Sequence, residues 1–231
     1  MTEKKCVDKA FVRWYNKVMN KLNYDNKMRQ QIAALPKGPP LLLHSCCAPC
    51  STACLERLHD FFSVYVFYYN PNIDAREEYE KRKAEQIRLL EQTGWAQIVD
   101  CDHDAEAFAE MAKGLENEPE RGARCYRCYA LRLAETAKKA KELGIEYFAT
   151  TLTLSPLKNV EWLNEIGQKV GDRYGVKYLY SDFKKQGGYL RSIQLSKEYG
   201  LYRPDFCGCS FSKRNESDLE GKDGAALPMI R

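Results

Sequence analysis

Apolar positions change their spacing along the chain, and the changes mark out its elements. Over residues 8–36 they fall three or four apart (Phe11, Trp14, Val18, Leu22), which lines one face of a helix. Pro36, Pro39 and Pro40 end that pattern, because proline lacks an N–H and clashes with the preceding turn. A helical N-terminal extension on the edge of the domain is predicted. Residues 41–44 are a short apolar run and 53–58 return to helical spacing, so this segment reads as strand, cysteine-bearing turn and helix. His44, Ser45, Cys46 and Cys47 then stand at the carboxyl end of a strand. Open α/β sheets place their sites there, next to the free N–H groups of a helix start.

The alternation continues downstream. Residues 62–69 (FSVYVFYY) form a second apolar run closed by Asn70-Pro71-Asn72, and 75–92 a long charged amphipathic helix ending at Gly94. A third strand is expected over 96–99, then a helix capped by Asp102 and Asp104 and running through Met111. Residues 114–124 are polar, with Pro119 and Gly122, and read as a loop that delivers Cys125 and Cys128 to a helix over 125–143. Strands at 147–150 and 176–180 flank a TLTLSPLKN loop and a helix over 159–174. Strand and helix alternate from 41 to 180, which predicts an α/β fold with a largely parallel sheet. The chain divides into the extension (1–36), an α/β domain (37–214) and a polar, Gly-rich, loose tail (215–231). No internal repeat or low-complexity segment is found.

Composition narrows the chemistry. The chain has 231 residues, 44% of them hydrophobic and 29% charged, enough for a core without staples. No run reaches the ~18 consecutive apolar residues of a membrane span. The first 25 residues alternate charged and apolar positions without a signal-peptide core, so a cytoplasmic protein is expected. Ten cysteines in such a chain are not a disulfide scaffold. Eight fall in three groups: Cys46, Cys47, Cys50 and Cys54; Cys125 and Cys128; Cys207 and Cys209. Grouped thiols in a reducing compartment read as metal or redox chemistry, whereas the lone Cys6 and Cys101 read as small buried residues.

Each group leaves alternatives. Cys125 and Cys128, three apart at a helix start, can be a redox dithiol or half of a zinc or iron–sulfur site, with the helix dipole favouring thiolates. Cys46 and Cys47 can supply the other half, and their divergent directions suit a cube of iron and sulfur better than one tetrahedral zinc. Cys50 can face the same cavity as a ligand to a further metal or pack in the core, and Cys54 reads as core. Cys207-Gly208-Cys209 can close a strained, reducible disulfide or ligate metal. His44 reads as a hydrogen-bonded support. No H-E-x-x-H, G-x-S-x-G or GxxxxGK[ST] pattern occurs, which removes zinc proteases, α/β-hydrolases and P-loop enzymes. Residues 157–214 hold eleven Lys and Arg against six Asp and Glu. There Tyr180, Phe183, Tyr189, Tyr199, Tyr202 and Phe206 interleave with Lys184, Lys185, Arg191, Lys197 and Arg203, as a surface for stacking bases and neutralising phosphates would.

Four stretches taken together, HSCCAPCS (44–51), RCYRCYALRL (124–133), TLTLSPLKN (151–159) and GGYLRSIQLSKEYGLYRPDFCGCSFS (187–212), resemble the epoxyqueuosine reductase QueH family. The resemblance covers residues 41–214. It implies a HUP-like α/β domain, similar to adenine nucleotide α-hydrolases, with a 4Fe-4S cluster held by Cys46, Cys47, Cys125 and Cys128. Cys207 and Cys209 would be the redox-active pair. Some members carry Asp where this chain has Cys50, beside an additional mononuclear iron that Cys50, Cys207 and Cys209 would ligate here. That use excludes a disulfide while the iron is bound. The implied activity is reduction of the epoxide of epoxyqueuosine to queuosine at the wobble position of tRNA, with the anticodon arm as partner and electrons from an unidentified donor. A zinc-binding RNA module without catalysis is the rival of another class. A PP-loop thiolation enzyme is disfavoured because Leu43-His44-Ser45-Cys46 stands where an SGGxDS loop would, and a cobalamin enzyme because no D-x-H-x-x-G motif is present.

Overall fold

The computed structural model describes residues 22–36 and 38–212. Its centre is a five-stranded, all-parallel sheet: β1 (Pro40–His44), β2 (Ser63–Phe67), β3 (Gln97–Val99), β4 (Tyr147–Thr150) and β5 (Lys177–Tyr178). The spatial order is β3-β2-β1-β4-β5. Around it lie α1 (Tyr24–Ala33), α2 (Ala48–Leu58), α3 (Arg76–Thr93), α4 (Ala105–Ala112), α5 (Ala123–Glu142), α6 (Val160–Tyr174) and α7 (Gly188–Glu198). The expected α/β fold is thus observed, in a strand order compatible with a HUP-like domain. No helix among the described residues is long and apolar enough to cross a membrane.

Strand side chains alternate between the two faces of a sheet, and here each face has its own core. Leu41, Leu43, Val64, Val66 and Ala149 pack with Ala53, Leu55 and Leu58 of α2, Leu195 of α7 and Met28 of α1. Leu42, Phe67, Phe148 and Tyr178 pack with Ala137 and Ala140 of α5 on the other side. Strands covered on both faces read as unbroken apolar runs, which is why 41–43 and 62–69 stood out. α6 comes close to β5 because Gly167 and Gly171 carry no Cβ: one at Gly167 would stand 2.4 Å from the Tyr178 ring.

Two elements differ from expectation. β5 covers two residues rather than five. On its outer edge, away from β4, Gln31 of α1 donates to the Tyr178 carbonyl (3.1 Å) and accepts from the Tyr180 N–H (3.0 Å), which covers an exposed edge. The TLTLSPLKN loop opens with a buried 3₁₀ turn over Thr151–Leu154. The N-terminal extension is described only from residue 22, so Cys6 and residues 8–21 lie outside the described residues, as does the tail beyond 212.

Candidate metal centre

β1 is followed in the chain by β2 on one side, whereas β4 returns to its other side. The chain directions diverge there and leave a crevice beyond the carboxyl ends of β1 and β4. Cys46 and Cys47 sit on its β1 lip. Cys47 is the N-cap of α2, with extended backbone and Pro49 in the first turn, and Cys50 follows inside the helix. The sulfurs of Cys46, Cys47 and Cys50 all lie within 4.8 Å of one another, and those of Cys46 and Cys47 are 3.9 Å apart. The divergence expected of adjacent cysteines is small here. From the β4 lip, Thr151 accepts the Cys46 N–H through Oγ1 (3.2 Å) and donates to Cys46 Sγ (3.5 Å).

Behind this lip lies a buried polar support. Arg132 of α5 is 1% exposed and donates from Nε to His44 Nε2 (3.2 Å) and from Nη2 to Asn70 Oδ1. Asn70 in turn donates to the Ser45 carbonyl (2.8 Å). His44 Nε2 lies between the Arg132 guanidinium, which only donates, and the Tyr69 carbonyl (3.1 Å), which only accepts, and Nδ1 faces Thr150 Oγ1 (2.9 Å). Burial, and then the Arg132 charge, lower the imidazole pKa to about 3. His44 is a neutral support with both nitrogens engaged, as expected.

The loop before α5 brings in the second group. Arg124 ties that loop down by donating to the carbonyls of Leu115, Glu116 and Glu118. Arg121 adopts a left-handed φ of 72°, unusual for a residue with a Cβ, and its N–H donates to Cys125 Sγ (3.3 Å). The thiolates expected from the helix dipole are not found at this pair. Burial pushes Cys128 up to about 11 and raises Cys125 as well, because loss of hydration outweighs the dipole. The thiolates stand elsewhere. Hydrogen bonds from Cys47 and Cys50 hold Cys46 well below the usual thiol range, and Cys50 is pushed up to about 12.

The third group lies on a segment without regular structure between α7 and a 3₁₀ turn at Ser210–Ser212. One face of α3 grips it. Arg88 donates to the carbonyls of Tyr199 and Gly200 (both 3.1 Å), Glu85 accepts the Tyr202 N–H, Glu78 accepts from Tyr202 Oη (3.1 Å), and Arg82 donates to the Cys207 carbonyl (3.4 Å). Residues 78, 82, 85 and 88 share one helical face. Asn72 adds a second donor to the Cys207 carbonyl (3.3 Å). Gly208 has φ 110°, and a Cβ there would meet Ile73 Cγ1 at 2.7 Å, so only glycine fits between the two cysteines. Both cysteines are free thiols here rather than the strained disulfide. The Cys209 S–H, more than any other group, lowers Cys207 to about 5, while Cys209 itself is raised.

All three groups line one cavity of about 300 Å³, which holds Cys46, Cys47, Cys50, Cys125, Cys128, Cys207 and Cys209 in its wall. Cys54 is fully buried with its Sγ on the Cys50 carbonyl (3.2 Å), and Cys101 lies apart beside Tyr79. The sequence reasoning missed Arg132, the gripping face of α3, and Lys158. Lys158 is half-buried and lines the cavity. Burial works against its charge, but the thiolates of Cys207 and Cys46 outweigh that and raise its pKa. The quoted TLTLSPLKN stretch was the available signal for it.

The expected basic and aromatic surface over 180–206 is not one surface. Phe183 is fully buried, Tyr199 packs on Trp95, Arg191 pairs with Glu56, and Lys184 pairs with Asp182. Tyr189, Arg203 and Phe206 remain at the cavity. Tyr180 bonds Gln168 and Tyr202 bonds Glu78, while Lys185 and Lys197 are exposed and in no ion pair among the described residues.

Known proteins resemble the chain over most of its length. Residues 41–215 match the family model described as epoxyqueuosine reductase QueH. The chain is 41% identical over 202 residues to the epoxyqueuosine reductase QueH of Streptococcus pyogenes serotype M1, covering 84% of this chain and 79% of that protein. It is 42% identical to the protein of the same name from Staphylococcus epidermidis (83% and 85% covered) and 35% identical to that of Thermotoga maritima (78% and 94%).

Proposed function

The chain belongs to the epoxyqueuosine reductase QueH family, a family of oxidoreductases, and on that premise we propose that it reduces the epoxide of epoxyqueuosine to queuosine at the wobble position of tRNA. The observation that carries this reading is the convergence of three cysteine groups, distant in sequence, on one cavity at the switch point of the sheet. In the proposal Cys46, Cys47, Cys125 and Cys128 hold a 4Fe-4S cluster. The donor set fits it: the ligands are thiols alone, the sulfurs of Cys46 and Cys47 lie 3.9 Å apart, Cys125 and Cys128 line the same cavity, and Arg132 and Lys158 supply positive charge beside them. Cys50, Cys207 and Cys209 are the donors available to an additional mononuclear iron, a use that excludes the Cys207–Cys209 disulfide while that iron is bound. When bound, such iron supplies one-electron transfer and Lewis acidity. No cobalamin motif is present, so the reduction is cobalamin-independent.

The chain's own residues do the rest. Removing the epoxide oxygen takes two electrons and two protons and releases water. A Cys207 thiolate and Cys209 thiol that become a disulfide supply the two electrons and one proton, and a second proton drawn from solvent completes the balance. Cys207 is poised as the thiolate and Cys209 as the thiol that donates to it. The Arg82 and Asn72 donors hold the Cys207 backbone in place. The base is splayed out of the anticodon arm into the cavity, as single-stranded RNA bases are when their edges are read. Tyr189, Arg203 and Phe206 line the cavity beside it.

The test is anaerobic purification with iron, sulfide and zinc analysis and a visible spectrum. Dithionite and epoxyqueuosine-containing tRNA are then added to the same sample. Iron at about four or five per chain, with queuosine in the tRNA digest, supports the reading. Zinc without iron, and unchanged tRNA, replaces it with an RNA-binding module.

A further inference from the structure

Cations line the cavity on several sides, and most are already engaged. Arg82 pairs with Glu78, Arg124 with three loop carbonyls, Arg132 with His44 and Asn70, and Arg203 with Ser196. Arg121 is exposed on its loop. Lys158 is different: it is half-buried in the wall, and among the described residues its ammonium has no hydrogen-bond or carboxylate partner. The carboxylates in the wall, Glu120 and Asp205, are both exposed at the rim. His44 stands behind the cysteines with both nitrogens in use. Tyr129 lines the cavity too, but its phenol is neutral and brings no positive charge to a departing oxygen. A reaction that expels an oxygen needs a donor where the negative charge develops, and among the described residues the cavity offers one uncommitted, half-buried cation.

We propose that Lys158 is a catalytic residue of the reductase, whose ammonium hydrogen-bonds the epoxide oxygen and protonates it as the carbon–oxygen bonds break. The inference rests on the functional reading above. Both C–O bonds break, a C=C bond forms, and two electrons enter from the Cys207 thiolate and Cys209 thiol as they close to a disulfide, which an external reductant such as dithionite reopens. The first proton on oxygen comes from Lys158 and the second from the Cys209 thiol, water leaves, and solvent restores the ammonium. The transfer is downhill because a developing alkoxide is a far stronger base than an amine. A preorganised donor in a water-poor site is worth about 10²–10³ in rate. Its place after the β4 turn puts it across the crevice from Cys46 and Cys47, where it meets a substrate held between the cysteine groups.

The experiment compares wild type, Lys158→Ala and Lys158→Arg, all reconstituted with iron, on epoxyqueuosine-containing tRNA. We expect Lys158→Ala to lose about 10²–10³ in kcat, with iron content, visible spectrum and tRNA affinity unchanged. Lys158→Arg should recover part of the loss, and ethylammonium added to Lys158→Ala should restore rate in proportion to its concentration. A Lys158→Ala enzyme within threefold of wild type overturns the proposal. So does a loss confined to tRNA affinity, which would make Lys158 a phosphate contact, and so does loss of iron, which would make it a counter-ion of the thiolates. An inactive wild type overturns the functional reading instead, and is told apart because no variant is needed to see it.

Discussion

The two cysteine segments that face each other across the cavity are held by opposite means. Cys46, Cys47 and Cys50 occupy the junction of the central strand with a buried helix, and the backbone at and before Cys46 is tied to the turn after β4 through Thr151 and to α5 through His44 and Arg132. Cys207 and Cys209 lie on an irregular segment that α3 grips through single polar contacts. A packed sheet junction resists displacement. Hydrogen bonds worth about 0.5–1.5 kcal/mol each can open and re-form one at a time. On the proposed roles the difference is a division of labour: the cluster ligands are built into the fold, and the thiols that would meet a large substrate and change redox state are clamped onto it.

The sharpest way to break that comparison is to remove one thiol from each side. Cys47→Ser should lose essentially all cluster iron and reduce turnover to background. Cys209→Ser should abolish turnover equally but keep the visible spectrum of the cluster. Cluster loss in Cys209→Ser would put both segments in one structural role. Next in size is Gly208→Val, which demands a left-handed valine and a collision with Ile73. Strain of about 1–3 kcal/mol should displace the arm and lower kcat by at least tenfold, while iron content at the β1 lip stays the same. Full kcat in that variant would mean the arm's conformation is irrelevant.

What the sequence disclosed follows the same division. The cysteine groups were legible because ligand spacing is local, as at Cys125 and Cys128, and so were the strands, because burial on both faces writes continuous apolar runs. The supports were not. Arg132 meets His44 across 88 residues and Arg82 meets Cys207 across 125, and no local pattern announces such pairs. The charges of α3 read as an ordinary polar face, although four of them grip the arm. The stretch from 180 to 206 misled in the opposite direction: its aromatic and basic residues looked like one nucleic-acid surface, but Phe183 is in the core and Arg191 and Lys184 are paired. The thiolates also moved, from the helix start to Cys46 and Cys207, because burial outweighs a helix dipole at Cys128.

Acid should separate the two segments by a smaller margin. His44 has a folded pKa of about 3 against ~6.5 unfolded. Between those values the unfolded chain binds the extra proton, so stability falls as pH drops from ~6.5 toward 3 and is fully present above. The thermal midpoint of the metal-free protein should fall through that window, and His44→Gln, which can still donate and accept, should flatten part of the fall. An unchanged slope in His44→Gln would remove the neutral imidazole from the support of the β1 lip. Alkylation of Cys207 in the same metal-free protein should persist down to about pH 5, and Cys209→Ala should shift it upward, because the S–H that stabilises the thiolate is gone.

The smallest expected effect tests the clamp itself. Arg88 is partly exposed and its guanidinium holds the carbonyls of Tyr199 and Gly200, with Glu85 as its ion partner. Removing it forfeits two hydrogen bonds from a charged donor at a solvent-screened site, so Arg88→Ala should cost about 1 kcal/mol, or about 2–4 °C in Tm. Lys169→Ala, which removes an exposed pair with Glu165 far from the arm, should cost less and serves as the control. If the arm is clamped rather than built in, the loss will be local: proteolysis and hydrogen exchange should rise in residues 199–212 and stay unchanged in β1 and α2. Equal increases in both segments would mean that the arm unfolds only with the whole domain, and the contrast between a fixed lip and a clamped arm would then be one of appearance alone.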